Sequence, residues 1–354
     1  MRSLQISSIE EYSGKSAFII ALGLILKEMG YKIGYFKPFG VNTTYVDGNL
    51  VDEDAYFTAK ALNVKEDMDD ICPVLLDKPY VEFVQLADAE ELRKAIVDAY
   101  QKISENKDIV LVEGAVDYKV GRSIGICDLT ISTILDTKVL MVVKYSNDFV
   151  LDRLLASKEL FEDRLGLAVF NQLSGYKRTY VEGVAGALLQ KSGMELVGLI
   201  PRDPILAGLF VSEIRNALSG DLLVEGKDMI IEQLIIGAMS PQSAIKYFRN
   251  VRNAALITGG DRVELHLVAL EAINIKCLIL TGNLMPSQVV LEKAKEKGIP
   301  IILVKDDTLT TMERLDELFG KARIKGEIKI NRVKELVESF VDLKKITDYI
   351  GLDF

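Results

Sequence analysis

Residues Gly14-Lys15-Ser16 stand between the apolar run SLQIS and the long helical pattern KSAFIIALGLILKEMG. A strand, a GKS turn and a helix in that order suit phosphate binding. The N–H groups of the turn and helix start attract the anion, the lysine reaches the β- and γ-phosphates, and the hydroxyl ligates Mg²⁺. The motif G-x-x-x-x-G-K-[ST] asks for a glycine five residues before Gly14, where Ile9 stands. The tripeptide must therefore be judged with its surroundings. Three features lie where such a site needs them. Lys37 ends the strand within KIGYFKP, Asp52-Glu53-Asp54 opens DEDAYFTAKAL, and Glu113 ends the strand within DIVLVEGA. A carboxylate at the end of a buried strand is costly unless it is paired or bound to metal. Mg²⁺ held by one or two carboxylates plus phosphate oxygens would resolve that cost. Acids at a helix start also serve as caps, so Asp52 and Asp54 keep both readings.

The elements that must position these groups follow from hydrophobic period. SLQIS, KIGYFKP, DIVLVEGA, TKVLMVVKY, LGLAVFNQL and MELVGLIPRD read as strands, and the unalternating ones are buried on both faces. Helical patterns lie between them, with acidic first turns in DEDAYFTAKAL and DAEELRKAIVDAYQKISE, as the helix dipole prefers. Strand–helix alternation implies a parallel sheet covered on both faces. In such a sheet ligands bind at the carboxyl ends of the strands, near the topological switch point, and Lys15, Lys37 and Glu113 would all lie there.

A seam falls at PRDPILAGLF. Beyond it, QLIIGAMS, NAALITGG, IKCLILTG and IPIILVKDD are four strand candidates, each followed by a helix. The expected organisation is a nucleotide-binding domain over 1–207, a smaller α/β domain over 208–325 and a helical tail over 326–354. The second domain has no cysteine–histidine pair and no carboxylates at catalytic spacing. It has Thr258-Gly259-Gly260-Asp261-Arg262 and Thr281-Gly282 at the ends of neighbouring strands. Glycines there would let a ligand approach the backbone, and Arg262 would clamp a phosphate or carboxylate. The apolar helix LVALEAI suggests surplus surface for a two-fold contact, so a homodimer is expected.

Composition narrows the class. The 354 residues carry a net charge of −9 and no basic cluster longer than Lys344-Lys345, which argues against nucleic acid as a partner. Three separated cysteines make neither a disulfide framework nor a zinc site. The start MRSLQISS is not a signal peptide, and Ala17 to Leu26 is too short to span a bilayer. The expectation is a cytoplasmic protein with no membrane contact. His266, the one histidine, sits in a helical pattern with no G-x-S-x-G elbow to serve.

The segments SGKS, FKP, DEDA, VEGA, FNQL and GLIPRDP, in this order, resemble the dethiobiotin synthetase family of P-loop enzymes. They resemble more closely the dethiobiotin-synthetase-like domain at the start of long bacterial phosphotransacetylases. That family tolerates a lengthened phosphate loop. GAMSPQSAIKYFRNVRNAALITGGDR, LILTGNLMPS and GIPIILVKDDTLTTMERL resemble the DRTGG domain that follows in those proteins. The two resemblances span residues 3–323. No acetyltransferase segment is recognised after them, so acetyl transfer is not expected of these residues. The resemblance implies ATP and Mg²⁺ as cofactors. Ser13, Gly14, Lys15 and Ser16 would bind the nucleotide phosphates, and Ser16, Asp54 and Glu113 would hold the metal. Lys37 would face the γ-phosphate and substrate, and Asn171 would lie near the base. Dethiobiotin synthetases continue VEGA with a Gly-rich stretch that holds the diamine substrate. Here the chain continues VDYKVGRSIG. Two functions remain: a regulator that binds nucleotide and senses a small molecule through the DRTGG domain, or an ATP-dependent ligase. The altered stretch after Glu113 favours the regulator.

Overall fold

The computed structural model describes residues 2–175 and 178–353. It is an α/β protein that divides into two compact units, Met1–Arg202 with Arg323–Phe354, and Asp203–Ala322.

In the first unit the order is β1 (Arg2–Ser7), α1 (Lys15–Glu28), β2 (Ile33–Phe36), β3 (Thr43–Val46), β4 (Asn49–Asp52), α2 (Glu53–Ala61), α3 (Ala89–Ser104), β5 (Ile109–Glu113), α4 (Asp128–Ile134), β6 (Lys138–Lys144), α5 (Val150–Phe161), β7 (Leu165–Leu173), α6 (Arg178–Lys191) and β8 (Glu195–Pro201). The main sheet runs β8-β7-β6-β1-β5-β2, with every neighbour parallel. β1 is central because the chain first winds outward to β2, returns to β5, and then crosses to β6 on the other side of β1. That reversal is the switch point where a crevice opens at the carboxyl ends. The strands lack alternation because both faces are covered: β5 is buried at every position. α1 is apolar on most sides for the same reason, burying nine of its residues. β3 and β4 form an antiparallel hairpin through Asp47-Gly48. The sequence reading did not separate these strands, although Asp-Gly between two extended runs is the usual hairpin signal.

In the second unit the order is α7 (Val211–Leu218), β9 (Asp221–Val224), β10 (Gln233–Ile236), α8 (Pro241–Phe248), β11 (Ala254–Gly259), α9 (Val263–Glu271), β12 (Ile275–Thr281), α10 (Gln288–Lys297), β13 (Ile301–Leu303) and α11 (Thr308–Leu318). Its sheet runs β9-β13-β12-β11-β10, parallel except for the edge strand β9. Its core lies on both faces of the sheet.

The last segment forms two helices, α12 (Gly326–Phe340) and α13 (Leu343–Ile350), where periodicity suggested one. The break falls at Val341, which leaves the helical region and bridges Gly198 on β8. Asp342 then caps α13 by accepting the Lys345 N–H. α12 packs on α1 and β8, so these late residues belong to the first unit's core. Among the described residues no helix is long and apolar enough to cross a membrane.

Candidate nucleotide site

Between β1 and α1 the chain makes a loop over residues 8–14. Gly14 has φ 95° and stands at the N-cap without a side-chain hydrogen bond, and the first turn of α1 holds no acid. The helix thus presents N–H groups that no capping side chain satisfies, a suitable end for an anion. Space also dictates the glycine, since a Cβ would lie 2.3 Å from Asn171 Nδ2. Asn171 on β7 donates from that nitrogen to the Ser13 carbonyl at 2.8 Å, and its Oδ1 accepts from the Gln172 N–H at 2.8 Å. It fastens the end of β7 to the loop. Ser13 Oγ is fully buried there with no hydrogen-bond partner among the described residues.

The Lys15 ammonium is buried and donates to Ser8 Oγ and the Val116 carbonyl, both at 2.8 Å. Burial pulls its pKa down, against the opposing pull of Asp128 and Glu113. A buried ammonium with two neutral acceptors is under-compensated, and a phosphate oxygen would supply the missing charge. Ser16 Oγ donates to Glu113 Oε1 at 2.8 Å, and the Tyr35 hydroxyl donates to Oε2 at 2.7 Å. Glu113 pairs in register with Ile6, and Phe36 with Val112, which brings the ends of β1, β5 and β2 level. Lys37, one residue beyond β2, therefore reaches Glu113 Oε1 at 3.3 Å, Asp52 Oδ1 at 2.9 Å and Asp54 Oδ2 at 3.7 Å. Burial alone would lower the Lys37 pKa, but Glu113, Asp52 and Asp54 outweigh it and raise it. Asp52 accepts the Ala55 N–H at 2.8 Å, so it caps α2 while also serving as a counter-charge. For Asp54, burial opposes ionisation, yet Lys37, Asn42 and Arg323 hold its carboxyl below the ordinary range.

Four residues of this site were absent from the sequence reading. Ser8 and Tyr35 are ordinary strand-end residues until the register is known. Asp128, at the start of α4, accepts the Ser7 hydroxyl and, at 3.0 Å, the Ala115 N–H. It thereby ties the ends of β1 and β5 beside Lys15, and burial pushes its pKa up to about 6. In GICDLT it looks like any acid at a helix start. Arg323, whose Nε donates to Asp54 Oδ1 at 3.0 Å, is too distant in sequence for any spacing rule.

The donor set fits a nucleotide with Mg²⁺. Among the described residues no three His, Cys, Asp or Glu side chains converge to hold a metal by themselves. Mg²⁺ with a nucleotide needs few protein ligands, because water and phosphate oxygens complete its shell. The Ser16–Glu113 pair beside Lys15 suits that partial shell. Asp54 is less free, because Asn42 Nδ2 at 2.8 Å and Arg323 occupy its two oxygens.

The second unit's turn differs from expectation. Thr258 and Gly259 end β11, and Thr258 Oγ1 donates to the Gly237 carbonyl at 3.3 Å. The close approach that Gly260 permits is filled by the chain itself: a Cβ there would lie 1.7 Å from the Leu284 carbonyl oxygen. Asp261 is exposed, and Arg262 is exposed and donates to the Met239 carbonyl at 3.1 Å. His266 is fully buried beneath the turn, with Nε2 3.0 Å from the Gly259 carbonyl and Nδ1 unpartnered among the described residues. Burial lowers its pKa.

A family model described as an AAA domain matches residues 2–208, and one described as a DRTGG domain matches residues 213–318. A phosphate acetyltransferase of Nitratidesulfovibrio vulgaris is 26% identical over 97% of this chain and 51% of its own length. An ATP-dependent dethiobiotin synthetase of Caldicellulosiruptor saccharolyticus is 27% identical over 32% of this chain and 48% of its own length. The MinD cell division protein of Aquifex aeolicus matches with a TM-score of 0.37 and 18% identity, covering 58% of this chain and 84% of its own. The chain spans about half the length of the phosphate acetyltransferases it matches, aligning with their N-terminal region.

Proposed function

The chain belongs to the AAA-domain family of P-loop proteins and carries a DRTGG domain, and on that premise we propose that it binds Mg-ATP and acts as a nucleotide- or metabolite-responsive regulator. The observation that carries the reading is the placement of buried Lys15 beside the Ser16–Glu113 pair, at an uncapped helix start. In this reading Ser13, Gly14, Lys15 and Ser16 meet the phosphates. Ser16 and Glu113 hold the metal with Asp54 as a further ligand, and Asn171 lies near the base. The metal would neutralise charge on the bound phosphates. Thr258-Gly259-Gly260-Asp261-Arg262 would take a small anionic effector, with Arg262 exchanging the Met239 carbonyl for it. A homodimer, formed through the second unit in the cytoplasm, completes the proposal and is read by light scattering.

Lys15→Ala should lower ATP affinity by about one to two orders of magnitude in calorimetry, the loss of about 1.5–3 kcal/mol that a charge-assisted contact supplies. Unchanged affinity would end the reading. A ligase that phosphorylates a carboxylate is the second reading, favoured by Lys37, a buried ammonium beside Glu113 that could steady a transferring phosphoryl group. Phosphate release that depends on a second substrate would select it over the regulator.

A further inference from the structure

We propose that Arg323-Ile324-Lys325 is an inhibitory strap on the metal side of the phosphate site, and that it must lift from Asp54 before a divalent cation can be fully ligated. The inference deepens the nucleotide reading and rests on it.

The strap grips the first turn of α2 at several points. Arg323 Nε donates to Asp54 Oδ1 at 3.0 Å, and its Nη1 lies 2.9 Å from Glu53 Oε2. Lys325 Nζ lies 3.2 Å from Glu53 Oε1 and 4.2 Å from the centroid of the Phe57 ring. The buried ammonium of Lys329 on α12 donates to the Arg323 carbonyl at 3.4 Å, which holds the strap's backbone from behind. Asp54 Oδ2 is meanwhile taken by Asn42 at 2.8 Å, with Lys37 at 3.7 Å. Both oxygens are thus committed to nitrogen donors, and a guanidinium on Oδ1 competes directly with a metal for that lone pair.

The acids of the site are not equally locked. Asp52 and Glu113 are almost wholly buried with Lys37. Arg323, Lys325 and Glu53 keep 35%, 27% and 23% of their side-chain surface exposed, and Asp54 keeps 21%. Water can replace a partner at such a partly exposed pair at a lower penalty than at the buried ones, which it does not reach. Asp54 is therefore the acid whose partner can exchange. The position of the strap gives the exchange a purpose. Ala322 ends the second unit and α12 begins at Gly326, so the strap is the segment on which the chain returns to the first unit, having left it at Arg202.

The test uses the full chain, ATP and calorimetry, with Mg²⁺ and separately with EDTA. Arg323→Gln should tighten Mg-ATP by about fivefold, which corresponds to ~1 kcal/mol, and should leave ATP with EDTA unchanged. In an Asp54→Asn background the same substitution should add nothing. Thermal unfolding of each variant shows that the comparison is between folded proteins, and Lys325→Gln, which spares Asp54, should give a smaller gain. Equal or weaker Mg-ATP binding in Arg323→Gln would overturn the strap, as would a gain of the same size in EDTA. The two readings fail separately. If Lys15→Ala abolishes ATP binding while Arg323→Gln does nothing, the site stands and the strap falls. If neither the wild type nor Arg323→Gln binds ATP, both fall.

Discussion

The carboxyl edges of the two parallel sheets are built alike in backbone and unlike in charge. At the first, Lys15, Lys37, Asp52, Glu113 and Asp128 are all buried, and each is answered by another charge or by main-chain groups. At the second, the buried polar groups are Thr258, Thr281 and a neutral His266, while Asp261 and Arg262 stay at the surface. Both edges have a glycine in the turn that follows a strand, but Gly14 precedes an uncapped helix, whereas the space at Gly260 is filled by Leu284. Taking ions out of water is expensive, and a fold has cheaper ways to fill a core. A concentration of buried charge at one edge therefore marks where chemistry is expected. Glycines alone mark only close approach.

Lys37 offers the strongest way to break this contrast. Lys37→Met leaves Asp52 and Glu113 buried without their shared cation, and should cost about 3–5 kcal/mol in urea unfolding. Arg262→Ala, its counterpart on the second unit, should cost less than about 0.5 kcal/mol. Similar losses would mean that the two edges do not differ in the way described.

The pH dependence of Asp128 sharpens the same point. Its carboxyl titrates at about 6 when folded, raised from 3.8 by burial. The folded state then holds the proton more tightly than the unfolded one, so the contribution to stability is full below pH ~3.8 and is lost as pH rises through ~6. Two pKa units are worth about 3 kcal/mol. Relative to Asp128→Asn, the wild type should lose about that much stability between pH ~3 and pH ~7. A difference that stays constant with pH would show that Asp128 does not titrate there. At the second edge, Gly260→Ala forces a Cβ against main chain and should cost about 1–3 kcal/mol. A thermal shift of Arg262→Ala on adding a small phosphate compound, equal to that of wild type, would remove the turn as an effector site.

Much of this was legible in the amino-acid sequence. Unalternating apolar runs located the parallel strands because both faces of each sheet are covered. GKS, Lys37 and Glu113 stood out because motif and strand end coincide. What escaped was whatever depends on partners distant in the chain. Asp128 acts through Ser7 and Ala115, and Arg323 through Asp54, contacts that follow from topology and not from spacing. At Gly260 the sequence cannot tell a ligand from the Leu284 carbonyl that lies there, since both impose the same requirement.

The placement of α12 and α13 also sets an order of events during synthesis. Val333, Leu336, Val337, Ile346 and Ile350 complete the core of a unit whose first strand begins at Arg2. On the ribosome, β1 through β8 emerge long before the helices that cover α1 and β8, and the whole second unit is made in between. The nascent first unit must wait with that apolar surface uncovered, while the second unit, contiguous from Asp203 to Ala322, can fold as soon as it clears the exit tunnel. A domain whose strands come early is thus closed by helices made only after an entire intervening unit.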